Sequence, residues 1–133
     1  MITNILLISA DKELLRQANQ ALEGLPVKVV GECARFRRAM DIMHETACRI
    51  VIIDMFLPES SGVELVKMLK QQDEKLVLIL LTRMRGRSLL DRAFRHGATD
   101  ILPYPMQVDT LRQTVLHRLS RLSDDSMIVF QNQ

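Results

Sequence analysis

RIVIIDMFLPESSGVELV, residues 49–66, decides the fold. Four consecutive β-branched residues, Ile50 to Ile53, run into one carboxylate, Asp54. Pro58, Ser60, Ser61 and Gly62 then make a turn-rich loop, after which Val63, Leu65, Val66 and Leu69 recur at helical spacing. An unbroken apolar run of this length suits a strand buried on both faces, as in a parallel sheet covered by helices. The pattern is therefore strand, acid-bearing loop, helix.

The same unit recurs on both sides of it. Residues 3–9 form an apolar strand, and Asp11 is placed to cap a helix with Leu14, Leu15, Ala18, Ala21 and Leu22 on one face. Residues 27–33 alternate as an edge strand does, and 35–46 reads as a short helix with Phe36, Met40 and Met43 inward. Residues 76–82 are the most apolar strand and belong in the sheet interior. A helix over 87–96 ends at Gly97, a short strand covers 99–103, and a last helix runs over about 107–122 with Leu111, Val115, Leu116 and Leu119 inward. Five β-then-α units in succession predict an α/β, doubly wound, five-stranded parallel sheet with helices on both faces. In such sheets the site lies outside the carboxyl ends of the strands, where strand order reverses. Ser9, Ala10, Asp11, Asp54, Thr82, Arg83, Tyr104 and Pro105 should therefore meet there.

The bulk numbers agree with one such domain. The 133 residues are 47% hydrophobic and 26% charged, with a formal charge of +2. No stretch has the length of a membrane span and the N-terminus lacks a signal-peptide pattern, so a cytoplasmic protein is expected. Cys33 and Cys48 fit no metal spacing and read as reduced thiols. The charge is uneven: residues 1–82 carry 10 Lys/Arg against 11 Asp/Glu, whereas residues 83–122 carry eight arginines against three acids. That excess reads either as a solvated face or as a contact surface, for which arginine is well suited. With no helix-turn-helix and no stacking platform visible, nucleic acid is not the expected partner.

These features resemble the receiver domain of response regulators, the CheY-like family, over about residues 4–122. The likeness rests on Asp54-Met-Phe-Leu-Pro58-x-x-x-Gly62, on Leu81-Thr82 at the end of the fourth strand, and on HGATDIL at 96–102. It implies strand order 2-1-3-4-5, Asp54 in the phosphoacceptor position, Thr82 in the position that contacts the phosphoryl group, and a cis Tyr104–Pro105 bond. It also marks departures. The two acids that hold Mg²⁺ in the family are here Ser9 and Ala10, and the family's lysine before the proline is Tyr104. Its aromatic switch position is Ile101, and the small residue after the threonine is Arg83.

Mg²⁺ takes near-octahedral oxygen coordination with one or two carboxylates, and phosphoryl transfer needs cations around the transferred group. One preorganised stabiliser is worth roughly 3 kcal/mol, about 10²-fold in rate. Losing both metal site and lysine would slow phosphorylation by about 10⁴ or more on that scale. The expectation is an atypical receiver, not an enzyme, with no cofactor and no metal site, acting on a protein partner. The alternative is a working phosphorelay receiver, using Mg²⁺ and phosphorylated on Asp54 by a histidine kinase. Arg87, Arg92, Arg95 and Arg112, on helix 4 and helix 5, mark the expected interaction face, serving homodimerisation through helix 4, strand 5 and helix 5. After residue 122 the chain reads as a tail or the start of another domain, 123–133. Its apolar MIVF ending in Asn132-Gln133 resembles the first strand of ParA/MinD-like ATPases. Together with ISAD at 8–11, this resembles the TadZ/CpaE pilus-assembly proteins, which join a degenerate receiver to such an ATPase.

Overall fold

Alternation along each buried strand builds two cores. In a computed structural model, which describes residues 1–131 and side chains as far as Leu122, the chain forms five β/α units. They are β1 (Thr3–Ile8), α1 (Lys12–Leu22), β2 (Val27–Cys33), α2 (Phe36–Glu45) and β3 (Cys48–Asp54), then α3 (Gly62–Gln72), β4 (Val77–Thr82), α4 (Arg87–His96), β5 (Asp100–Pro103) and α5 (Val108–Gln131). All pairings are parallel, in the expected order β2-β1-β3-β4-β5. Successive side chains of a strand point to opposite faces. Ile5, Leu7, Ile50, Ile52, Ile79 and Leu81 accordingly pack with α1 and α5. Leu6, Ile8, Val51, Ile53, Leu78 and Leu80 pack with α2, α3 and α4. All six residues of β4 are buried, as an interior strand requires.

The helix ends follow their sequence signals. Asp11 caps α1 by accepting from the amides of Glu13 and Leu14. Ser61 caps α3 through the Glu64 amide, and Gly97 ends α4 in the left-handed region at φ +119°. The Tyr104–Pro105 bond is cis, as the resemblance implied. No helix among the described residues is long and apolar enough to cross a membrane.

One expectation is refined and one is corrected. The residues of α2 that reach the core are Ala39 and Ile42; Phe36, Met40 and Met43 pack around them half-buried. Gly31 of β2 makes room for Ile42, whose Cδ1 would stand 2.6 Å from a Cβ there. Residues 127–131, expected to begin a strand, continue α5. No glycine or proline stops that helix after Leu122. Asn132 and Gln133 lie outside the described residues.

Candidate functional site

Asp54 is the last residue of β3, paired across the sheet with Leu81 of β4. The chain then turns sharply. The Met55 amide donates to the Leu81 carbonyl at 2.9 Å, and the Gly62 amide donates to the Met55 carbonyl at 2.8 Å. The Asp54 carboxylate, 8% exposed, is occupied on both oxygens. Its Oδ1 accepts from the Phe56 amide at 2.9 Å, fixing the loop, and its Oδ2 accepts from the Ser9 hydroxyl at 2.7 Å.

Ser9 is built into the end of β1. Its amide donates to the Cys33 carbonyl of β2, and its Oγ accepts from the Asp11 amide at 3.0 Å. With that amide donating to it, the hydroxyl directs its own proton to Asp54. Asp11 spends Oδ1 on the α1 cap, while Oδ2 faces Arg83 at 3.6 Å and, at a long 3.5 Å, the Tyr104 hydroxyl. The Arg83 guanidinium also lies over the Tyr104 ring, 4.8 Å from its centre, in cation–π geometry. Burial of Tyr104, followed by the Asp11 carboxylate, pushes its phenol pKa up, against the opposing pull of Arg83. Ala10, Asp11, Asp54, Phe56, Arg83 and Tyr104 line an open cleft of about 480 Å³.

The structure thus brings Ser9, Ala10, Asp54 and Tyr104 together as expected. Thr82 is buried nearby, with its Oγ1 accepting from the Met84 amide of its own loop at 2.9 Å. Several of the arginines of α4 and α5 have partners. Arg92 reaches Glu64 of α3 at 3.9 Å, and Arg118 makes a two-pronged pair with Asp100 at 2.7 and 3.0 Å. Arg112 donates to the carbonyls of Ala21 (3.2 Å) and Glu23 at the end of α1. It ties α5 to α1, because the first turns of α5 lie against that helix end.

The cleft does not fit Mg²⁺. Ala10 offers no side-chain oxygen, one Asp54 oxygen already binds Ser9, and Asp11 is committed to its helix and to Arg83. Among the described residues, no group of three or more His, Cys, Asp or Glu side chains is gathered to hold a metal.

A family model, the response regulator receiver domain, matches residues 5–116. This chain belongs to the response regulator receiver family. The chain is 26% identical to the transcriptional regulatory protein MalR of Bacillus subtilis, over 85% of this chain and 48% of that protein. To the chemotaxis protein CheY of Bacillus subtilis it is 27% identical, over 66% of this chain and 73% of CheY. The BeF3-activated DrrB receiver domain is structurally similar, with a TM-score of 0.79 and 26% identity over 90% of this chain and 99% of that one. The chain spans about half the length of curated relatives such as MalR. Receiver domains are signalling modules that work through kinases and effector proteins.

Two features of this receiver site escaped the sequence reading. One is the Ser9–Asp54 hydrogen bond. Its signal was a hydroxyl at a strand end in place of an acid. The other is Phe56, 54% exposed, which forms a wall of the cleft.

Proposed function

We propose that this chain is an atypical receiver domain, a protein interaction or localisation module in which Mg²⁺-dependent phosphorylation is impaired. The observation that carries this reading is the Ser9 hydroxyl donating to Asp54 where the family places a metal-binding acid. Arg83, held by Tyr104 and Asp11, supplies a fixed cation near the cleft. A single guanidinium does not reproduce the bridging of a divalent ion. Under this reading the domain docks its partner without a phosphoryl signal. Self-association through α4, β5 and α5 belongs to the same proposal, on the face that carries Arg87, Arg92, Arg95 and Arg112. A following ATPase domain that the module localises belongs to the same proposal, resting on the likeness of residues 8–11 to the TadZ/CpaE proteins.

The second reading, a phosphorelay receiver accepting a phosphoryl group from a histidine kinase, is favoured by the carboxylate of Asp54, which lines an open cleft. Mg²⁺ titration followed by amide NMR separates the two. The proposal expects no saturable shift at Ser9, Asp54 or Phe56 at millimolar Mg²⁺. Saturation at those three residues would establish the phosphorelay reading instead.

A further inference from the structure

Phe56 stands between two depressions. One is the acceptor cleft; the other is an apolar groove of about 230 Å³ between the loop after β3 and the start of α4. The floor of the groove is Met55 and Val63, both buried, and its open walls are Phe56 and Met84, 54% and 48% exposed. Two large apolar side chains on adjacent loops are thus held at the surface, although burying apolar area of that size is favourable. A volume of this size receives one or two aliphatic side chains, the scale of an anchored peptide rather than of a globular face.

The surroundings of the groove are cationic. The loop over it is Arg83-Met84-Arg85-Gly86-Arg87. Arg85 and Arg87 are exposed and, among the described residues, neither makes an ion pair. The acids on the opposite side are already engaged, Glu64 by Arg92 and Glu59 by Arg35. No residue lining the groove carries a carboxylate.

We infer that this groove is a docking site for an acidic amphipathic peptide segment of a partner protein. Its apolar side chains enter between Phe56 and Met84, and its carboxylates meet Arg85 and Arg87. Nucleic acid suits the site less well, because the walls offer a single aromatic ring and a narrow aliphatic slot instead of a stacking platform. The Phe56 amide holds the Asp54 carboxylate, so an occupant here bears directly on the acceptor loop. The inference goes beyond the proposed function and stands whether or not Asp54 carries a phosphoryl group.

The test uses random dodecapeptides displayed on phage, selected on the unmodified protein. Enriched peptides are then synthesised and titrated by amide NMR. The expected peptides combine Asp or Glu with two apolar residues and shift Phe56, Met84 and Leu89. The double variant Arg85→Glu/Arg87→Glu weakens them by about tenfold or more, and Met84→Ser weakens them by a similar factor. Both variants change exposed side chains and should keep the wild-type spectrum elsewhere. The inference is overturned if no peptide is enriched, if the enriched peptides lack acids, or if the shifts fall around Phe94 and Arg95. It is also overturned if random single-stranded RNA shifts the groove residues more strongly than any peptide. A protein that phosphorylates rapidly on Asp54 yet binds these peptides as described would keep this inference and lose the proposed function.

Discussion

Ser9 joins three elements through one oxygen, accepting from the Asp11 amide and donating to Asp54. Ser9→Ala removes the donor and leaves Asp54 Oδ2 to water. A hydrogen bond to a charged group contributes about 1.5–3 kcal/mol, and the open cleft places the expected loss near the lower end. Urea denaturation of wild type and variant checks this. The thiol of Cys48 gives a second prediction. Burial pushes it from an ordinary 9.0 up to about 11. The folded state then holds a proton that the unfolded chain loses, so stability should fall as pH rises from about 9 to about 11. Tyr104 is shifted the same way, so Cys48→Val should flatten only part of the slope. Stability measured across that pH range reads it. Asp54 and the acid-to-serine change were visible in the sequence, because they lie in one short run each. The Ser9–Asp54 bond joins residues 45 apart, so only the fold reveals it.

At the scale of elements, the acceptor loop depends on Gly62, the first residue of α3. A Cβ there would stand 2.6 Å from the Asp54 carbonyl and 2.8 Å from Met55 Cα. Both are backbone atoms that cannot swing aside. Gly62→Ala should therefore cost roughly 1–3 kcal/mol by overpacking and displace the Asp54 and Phe56 amides. Thermal denaturation together with amide shifts checks both parts. All five strands and five helices were readable from periodicity and from Asp11, Gly97 and Pro105, since these act locally. The inward face of α2 was readable from Phe36, Met40 and Met43, but buried Ala39 at its centre was not, because Ala looks less core-like than Met or Phe. The length of α5 was misread because an apolar run of four residues, Met127–Phe130, fits either a strand or a helix. The partners of Arg112, two carbonyls of α1, belong to no sequence pattern. The groove beside Phe56 and Met84 was hidden for the same reason. It exists only once β3 and β4 lie side by side.

At the scale of the whole molecule, the receiver fold is intact while side chains at its switch point depart from the family's pattern. The sheet order, both cores and the turn at Tyr104–Pro105 are retained. What differs is a handful of side chains around one cleft, where a serine hydroxyl and an arginine–tyrosine stack occupy the ground of a metal site. Under the proposed function, such a domain keeps its surfaces for partners and transfers a phosphoryl group only slowly. Intact-mass measurement after incubation with acetyl phosphate and Mg²⁺ tests this most directly. The wild type should keep its mass, and the triple variant Ser9→Asp/Ala10→Asp/Tyr104→Lys should gain a phosphoryl group in part. A wild type fully phosphorylated within minutes would contradict the account.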